Sequence, residues 1–402
     1  MGYLLRLSLC LLCLSLHSPL TTSSPYPNSS AQLCHEDERF AMLEFKNSLA
    51  INVSSSISQA CARRGQVPYA KTASWKAAGS DCCQWDGVTC NPLTRHIIGL
   101  DLSCSELQGT IPANSTLFTL RHLRSLNLAF NDFYPSRISP EFGRFSRLKR
   151  LNLSTCFFTG KVPLTIAQLP QLASLDLSDN YYIDLKLNEF RELEMPDFNV
   201  IVRNLTGLRE LYLDLVNVTS KATALSSLTN LSSLMALSLS GCGFSGPLPV
   251  WIWNITREIC LSNNQFTGKL PSMVDISKLS QLTSFDLSGN SLEGKVPSWL
   301  FSLPSLKVLF LDFNQFSGQL TISEDVARAS PLTNLSSLMS LSLSRCKFSG
   351  PLPVWILNVT QEIDLSDNQF TGKLPSMVDI SKLSQLTSFD LSFNSLDGEV
   401  PS

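Results

Sequence analysis

The sequence predicts an α/β fold, a right-handed solenoid in which each repeat adds one short strand to a curved parallel sheet on the concave face. The main observation is an L-x-L pair that recurs twelve times between residues 97 and 402, mostly 22 to 26 residues apart. Hydrophobic residues make up 44% of the 402 residues and charged residues 16%, which argues against long disordered segments. A cysteine-containing segment precedes the repeats and is expected to cap them.

Each L-x-L pair predicts a strand with one apolar face, which a single repeat cannot bury alone. Stacking the strands in parallel builds one continuous core, in which each repeat contacts only its neighbours. The pattern extends to L-x-x-L-x-x-L-x-L-x-x-N-x-L/F-x-G-x-I/L/V-P, and its clearest copy runs from Leu279 to Pro297. A period near 24 residues with this signature resembles the leucine-rich repeats, in the version found in plant extracellular proteins. We expect about twelve such repeats over residues 97–402, incomplete at the C-terminal end.

A recurring Asn follows the first core residue of the pair by five positions. Its amide can donate to and accept from backbone groups where the chain leaves the strand, so that stacked amides form a ladder. Cys156, Cys242 and Cys346 take this position in three repeats, and we interpret them as small buried residues rather than metal or redox groups. Cys260, between two core positions of a strand, is expected to face solvent. The ladder amides are Asn131, Asn180, Asn264, Asn290, Asn314, Asn368 and Asn394.

Residues 1–24 are predicted to be a secretory signal peptide. Arg6 precedes an apolar run over residues 7–16, and small and polar residues follow it. The run is too short to span a bilayer, which takes about 20 residues. The abundance of Asn-x-Ser/Thr sequons agrees with secretion, and we interpret their asparagines as glycosylation candidates. They are Asn28, Asn52, Asn114, Asn152, Asn204, Asn217, Asn230, Asn254, Asn334 and Asn358.

Residues 25–96 are predicted to form a cap over the exposed core of the first repeat. A short amphipathic helix near residue 40 is followed by the segment Asp81–Cys90, which reads D-C-C-Q-W-D-G-V-T-C. This resembles the N-terminal cap of plant leucine-rich-repeat receptors. The resemblance implies two disulfides, Cys34–Cys82 and Cys83–Cys90. The stretch between helix and segment is longer than in that family and contains Cys61, which could be free, could scramble the pairing or could bridge to another chain.

The residues beside the core leucines are expected to line the concave surface, where the core does not dictate their chemistry. Aromatic side chains beside charged ones suit a recognition surface, because aromatic anchors contribute disproportionately to binding. We therefore predict contacts with a peptide, protein or oligosaccharide ligand by Arg124, Arg150, Tyr212, Asp214, Phe310 and Asp312.

Two insertions, over residues 181–203 and 321–330, lengthen the repeat spacing to 36 and 32 residues. The segments around the first, R-I-S-P-E-F-G from Arg137 and N-L-T-x-L-R-E-L-Y-L from Asn204, resemble plant receptor-like proteins of the disease-resistance class. The resemblance implies the N-terminal fragment of an ectodomain that acts in plant defence or developmental signalling through partner receptor kinases. It also implies an extracellular or plasma-membrane location, with any anchor beyond residue 402.

The alternative function is a secreted inhibitor of a cell-wall-degrading enzyme, similar to the plant polygalacturonase inhibitors. That hypothesis predicts fewer repeats, a closing cap and no long insertions, so we favour the receptor.

Composition and motifs give no support to catalysis. A formal net charge of −2 gives no reason to expect nucleic acid as a partner. The four histidines, at positions 17, 35, 96 and 122, are scattered along the chain and supply a metal site or proton relay poorly. Neither G-x-S-x-G nor H-E-x-x-H occurs. We therefore predict no catalytic residues, no cofactor, no metal site and no membrane span within the chain.

Overall fold

The computed structural model of the chain describes residues 33–53, 56–76, 80–184, 189–218, 225–320, 337–353, 355–356, 359, 361–373 and 386–397. The predicted signal peptide and the second insertion, residues 321–330, lie outside these ranges. The chain divides into two compact units, one of residues 1–220 and 230–233 and the other of residues 221–229 and 234–402.

The N-terminal segment contains two α-helices tied down by disulfides. Helix α1 spans Glu36–Asn47 and helix α2 spans Ser56–Arg63. The first turn of α1 is acidic and its last turn holds a lysine, an arrangement that favours a helix through its macrodipole. The two disulfides implied by the resemblance, Cys34–Cys82 and Cys83–Cys90, are confirmed. Cys61, whose partner the sequence left open, is bonded to Cys104 just after the first repeat strand.

In the first unit, each repeat contributes one strand to a parallel sheet, as predicted. The strands are Ile97–Asp101, Ser125–Asn127, Arg150–Asn152, Ser174–Asp176 and Glu210–Tyr212. Strand Val88–Cys90 of the N-terminal segment pairs antiparallel with the first of them and so covers the sheet edge. The register aligns one buried leucine from every repeat in a single row, namely Leu100, Leu126, Leu151, Leu175 and Leu211.

The second unit continues the same pattern with two parallel ladders on opposite sides of its core. The ladder that holds the L-x-L pairs consists of Ala236–Ser238, Glu258–Cys260, Ser284–Asp286, Val308–Phe310, Ser340–Ser342, Glu362–Asp364 and Ser388–Asp390. The other consists of Ser245–Pro247, Gln265–Lys269, Ser291–Gly294, Gln315–Gly318, Lys347–Gly350, Gln369–Gly372 and Ser395–Leu396.

Single turns of 3-10 helix lie between successive repeat strands in most repeats. They span Lys71–Ser74 and Cys82–Gln84 in the N-terminal segment and, in the repeats, Thr116–Thr119, Pro140–Arg144, Leu164–Gln168, Leu228–Asn230, Val250–Asn254, Ile276–Leu279 and Ser298–Ser302.

The first insertion folds back on the repeats instead of forming an open loop. Strands Tyr181–Asp184 and Glu189–Glu194 pair antiparallel as a hairpin, and the second also pairs in parallel with Gly160–Lys161. Helix α3, Phe198–Asn204, completes the insertion and buries three apolar side chains. A separate pair of short strands, Ala50–Ile51 and Leu107–Gln108, joins the N-terminal segment to the first repeat.

The predicted amide ladder is present. Asn180, which is fully buried, donates from Nδ2 to the carbonyls of Leu153 and Leu177 at 2.8 and 2.9 Å. In a repeat with cysteine at this position, Cys156 Sγ lies 3.0 Å from the Leu128 carbonyl oxygen. Burial raises the pKa of the Cys156 thiol, so it remains a neutral donor. The prediction that the ladder cysteines are buried is confirmed at all three positions.

A left-handed backbone turn stands directly before each ladder position. In all twelve repeats the residue four after the first core position has a φ between 50° and 66°, although glycine occupies only two of these positions. At Gly289 an added Cβ would lie 2.7 Å from Asn263 Oδ1, so a larger residue there would require the Asn263 side chain to move. We call these residues the left-handed column: Cys104, Phe130, Thr155, Asp179, Leu215, Gly241, Asn263, Gly289, Phe313, Arg345, Asp367 and Phe393.

The prediction that Cys260 faces solvent is wrong. The side chain is buried, with Sγ 3.5 Å from Ser262 Oγ and 3.8 Å from Asp286 Oδ2. Strands in register flank it on both sides, with Ser238 on one and Asp286 on the other. The flanking residues Ser238 and Asp286 cover the short Cys260 thiol, although it lies on the face of the sheet that points away from the core.

Candidate functional site

The candidate site is the face of the sheet opposite the core leucines, which we call the noncore face. In the first unit, the strand residues between the core leucines form one row across it, Asp101, Asn127, Asn152, Asp176 and Tyr212. We call this position of each repeat the central row. Because neighbouring strands are only about 4.8 Å apart, a ligand on this face would contact several repeats at once.

Most of the central row has a structural task. In seven repeats it holds Asp or Asn, whose Oδ1 accepts the backbone N–H two residues later at 2.8–3.1 Å. These Asx turns cap the end of each strand and so compete with ligand contacts for the same oxygen. The seven residues are Asp101, Asn127, Asn152, Asp176, Asp286, Asp364 and Asp390.

Two repeats depart from this capping pattern in the same way. Tyr212 and Phe310 replace the capping residue, and each is followed two positions later by an aspartate, Asp214 and Asp312. The ten other repeats have serine, or in one case alanine, at that later position. All four side chains are buried, with exposed fractions of 2%, 7%, 3% and 2% for Tyr212, Phe310, Asp214 and Asp312. The pairing of aromatic and carboxylate in two repeats is a pattern that strand capping does not explain.

The two arginines among the six predicted contact residues lie together. Arg124 and Arg150 belong to adjacent repeats, and the Arg150 backbone N–H donates to the Arg124 carbonyl at 3.1 Å. Both side chains are exposed. Tyr212 and Asp214 lie in the same unit as this pair, whereas Phe310 and Asp312 belong to the second unit. The structure therefore groups the predicted residues into one set in each unit.

In the first unit, helix α2 is attached to the edge of the sheet by a disulfide and by side-chain packing. Beside the Cys61–Cys104 disulfide, Ile57 packs with Ala129 and Phe130. The Arg64 guanidinium lies 4.7 Å from the Phe130 ring centroid, and its Nη2 is 3.2 Å from Asp179 Oδ2. Cys104, Phe130 and Asp179 all belong to the left-handed column, so α2 and the Arg64 that follows it contact this column in the first, second and fourth repeats.

Burial raises the pKa of the Asp179 carboxyl from 3.8 to about 6, even though Arg64 lowers it. Because the folded-state pKa exceeds the unfolded value, this group contributes most to stability below pH 4, and that contribution is lost as the pH rises to about 6. Relative to Asp179→Asn, the unmodified chain should lose about 2–3 kcal/mol of unfolding free energy over this range. Urea unfolding of both proteins between pH 4 and 7 measures the difference, and parallel stability curves would contradict it.

The expectation that the histidines are dispersed is wrong. His35, His96 and His122 form a stack, with ring centroids 3.8 and 3.7 Å apart. Glu38 of helix α1 lies beside it, with Oε1 3.2 Å from His96 Nδ1. Burial lowers the pKa of His122, and the neighbouring His96 lowers it further. His96 and His122 are 26 residues apart, which equals the spacing of the first two repeats. The two histidines therefore occupy equivalent positions in adjacent repeats, and the repeat period could have predicted that they are neighbours.

The sequons differ in accessibility. The asparagines at 114, 204, 230 and 254 are exposed. Asn152 and Asn217 are half-buried and their side chains are engaged, the first as a strand cap and the second as a donor to Glu192 Oε1 at 2.7 Å. Asn52 is half-buried. Asn28, Asn334 and Asn358 lie outside the described residues.

Comparison with known proteins places this architecture among the leucine-rich repeats. The model of the leucine-rich repeat region matches residues 97–329, and further leucine-rich repeats match residues 337–359 and 360–379. The model of the leucine-rich repeat N-terminal domain matches residues 35–91.

Among curated proteins, the chain is 40% identical to receptor-like protein 6 of Arabidopsis thaliana over 57% of its own length and 23% of that protein. It is 37% identical to receptor-like protein Cf-9 of Solanum pimpinellifolium over 59% of its length and 26% of that protein. The chain thus spans about a quarter of the length of the curated relatives that it matches.

Two solved structures share the fold. A plant peptide hormone receptor, RGFR1 in complex with RGF2, matches 72% of this chain and 42% of its own with a TM-score of 0.54 at 26% identity. The ectodomain of the Arabidopsis thaliana receptor kinase GASSHO1/SCHENGEN3 matches 90% of this chain and 53% of its own with a TM-score of 0.53 at 21% identity. With the repeat models, the relatives and the stacked strands in agreement, the chain belongs to the leucine-rich-repeat family and is of the kind found in plant receptor-like proteins.

Proposed function

We propose that the chain is a non-enzymatic recognition module that binds a peptide, protein or oligosaccharide ligand on the noncore face. The main support for this proposal is the register of the parallel strands, which aligns side chains from consecutive repeats on the face of the sheet opposite the core. A ligand laid across this face meets one side chain from each repeat, which gives both contact area and sequence discrimination.

Within this face, Arg124 and Arg150 are proposed as the first contacts, because they are exposed and adjacent. The pairs Tyr212–Asp214 and Phe310–Asp312 are proposed as further contacts, because they depart from the capping pattern of the central row. Since these side chains are buried, they would have to reorient to meet a ligand. Two neighbouring guanidinium groups would favour an acidic group on the ligand, since Arg pairs well with carboxylates and sulfate or phosphate esters.

The setting we propose is the cell surface. The matched relatives are named receptor-like proteins, and one solved structure of this fold is a peptide hormone receptor in complex with its ligand. By this similarity the chain would enter the secretory pathway, reside outside the cell or at the plasma membrane, and act in plant defence or developmental signalling through partner receptor kinases. Among the residues that the structure describes, no helix has the length and apolarity needed to cross a bilayer.

The inhibitor alternative is less well supported. It predicts repeats without long insertions, whereas the first insertion here is a folded hairpin with its own helix.

The test is a binding screen followed by charge reversal. The purified chain is screened against synthetic extracellular peptides and against plant and fungal cell-wall oligosaccharides, and any binder becomes the probe. Arg150→Glu and Arg124→Glu should each weaken probe binding about tenfold or more by removing a favourable charge and adding a repulsive one. The midpoint of thermal unfolding should change little, since both side chains are exposed.

Arg121→Glu is the matched control, because Arg121 is an exposed arginine of the same repeat that is not among the six predicted contact residues. It should leave the affinity unchanged. Equal affinity for the chain and for both the Arg124→Glu and Arg150→Glu variants would remove Arg124 and Arg150 from the site.

A further inference from the structure

We propose that Glu38, His96 and His122 form a binding site for one divalent transition-metal ion of the zinc type. One potential ligand atom from each of the three side chains lies within 4.8 Å of the other two. The three come from separate segments, namely helix α1, the residue before strand Ile97–Asp101, and the loop before strand Ser125–Asn127. An ion held by them would therefore tie the N-terminal segment to the first two repeats.

The donor set fits such an ion. Two imidazoles and one carboxylate, with water in the fourth position, make a tetrahedral arrangement typical of Zn²⁺. With metal–ligand bonds of about 2.0–2.1 Å, tetrahedral ligand atoms stand about 3.4 Å apart. Donor atoms as far apart as the 4.8 Å limit must therefore approach by up to about 1.4 Å, which side-chain rotation can supply.

His122 must supply most of this side-chain rotation. Its ring stacks on His96 at an interplanar angle of 14°, so the two sets of ring nitrogens do not converge on one point in this arrangement. His122 is half-buried at the surface, and the proposal requires its ring to turn toward Glu38. His96 is already aligned, because its Nδ1 lies 3.2 Å from Glu38 Oε1.

Glu38 is held in place for this role. It is only 5% exposed, and its Oε2 accepts the backbone N–H of Ile97 at 2.8 Å. The other oxygen, Oε1, is the one that faces the histidines. A carboxylate fixed through one oxygen and presenting the other is oriented before the ion arrives, which favours binding.

Two neighbours adjust the site without belonging to the donor set. His35 stacks on His96, and its Nε2 is 2.9 Å from the Thr94 carbonyl oxygen, to which it donates; it therefore orients the His96 ring. Arg147 Nη1 lies 3.3 Å from His122 Nδ1. An arginine there competes with a cation in two ways, since it donates to a ligand nitrogen and repels positive charge.

Isothermal titration of Zn²⁺ into the metal-stripped chain at pH 7.5 tests the proposal. We expect saturable binding of one equivalent and a rise in the midpoint of thermal unfolding on addition of zinc. His122→Phe keeps an aromatic ring on His96 but removes a ligand, and Glu38→Gln removes the charged donor. Each should weaken zinc binding at least tenfold and reduce the zinc-dependent rise in the thermal midpoint.

Two further variants test the roles proposed for His35 and Arg147 beside the metal site. His35→Phe should keep zinc affinity within about threefold, whereas Arg147→Gln should strengthen it about threefold or more. Co²⁺ used as the probe should give the absorption bands of a tetrahedral site in the unmodified chain and lose them in His122→Phe. Absence of saturable binding, or equal affinity in His122→Phe, would overturn the proposal. Should Glu38→Gln fail to fold by circular dichroism, His122→Phe decides alone.

Discussion

Replacing Asn180 with alanine is expected to lower the free energy of unfolding by about 4 kcal/mol. The side chain donates to two carbonyls, and its Oδ1 accepts the N–H groups of Cys156 and Phe158 at 3.1 and 3.0 Å. Alanine leaves both N–H groups buried without a partner, at a cost of about 1–3 kcal/mol each. The loss of a fully buried side chain adds a cavity. Urea unfolding followed by tryptophan fluorescence measures the change.

The matched control for this prediction is Asn127→Ala. Asn127 is half-buried in the central row and accepts one N–H, that of Ala129, at 3.1 Å. Its replacement should destabilise by about 1 kcal/mol or less, because water can reach the freed group. Asn180→Cys should fall between the two, since Cys156 already serves at the same position of the preceding repeat. If Asn180→Ala and Asn127→Ala lowered the free energy of unfolding by similar amounts, the ladder amide would not be the group that stabilises the turn.

Removing the Cys61–Cys104 disulfide by serine substitution at both positions is expected to destabilise the folded chain by about 4 kcal/mol. The cross-link joins residues 43 apart, and closing a loop of this length restricts the unfolded chain strongly. The loss should be concentrated at helix α2, whose remaining contacts include the Ile57 packing and the Arg64 contacts with Phe130 and Asp179. Limited proteolysis should cut the double variant within residues 56–76 before any other described segment.

Serine substitution at Cys83 and Cys90 provides the comparison. That disulfide joins residues only 7 apart, so the same loop-closure argument predicts a loss of about 2.5 kcal/mol. The order of the two losses is the result to check by urea unfolding. A larger loss for the short loop would mean that native-state packing around Cys83, and not the restricted unfolded chain, sets the effect.

The repeat architecture was predictable because its signal is summed over twelve copies. Each L-x-L pair is ambiguous alone, but a fixed spacing requires strands that stack in register, and the row from Leu100 to Leu211 follows from that requirement. The disulfides Cys34–Cys82 and Cys83–Cys90 were predictable because the N-terminal segment resembles a known cap, and the resemblance implies the same cysteine pairing.

What could not be predicted depended on contacts between segments without a common period. Helix α2 lies in the long stretch between helix α1 and the segment Asp81–Cys90, outside the repeats, so no repeat spacing shows that Cys61 reaches Cys104. His35 likewise joins the histidine stack through the position of helix α1. The capping role of the central row was also missed, because an Asp or Asn beside a strand predicts a surface contact as readily as an Asx turn.

The left-handed column has a consequence for how such a chain can diversify. In seven of the twelve repeats the next residue is a ladder asparagine, and the same left-handed turn forms where that next residue is Ser, Cys or Val. The turn therefore does not depend on the side chain of the column residue itself. Cysteine, phenylalanine, aspartate and arginine all occupy equivalent places. Arg345 lies 4.7 Å from the Phe313 ring centroid and pairs with Asp367 at 3.5 Å, so three successive members attach to one another much as others attach to α2. Mutation can therefore alter this edge residue by residue, acquiring or losing an attached element while the solenoid beneath it stays the same.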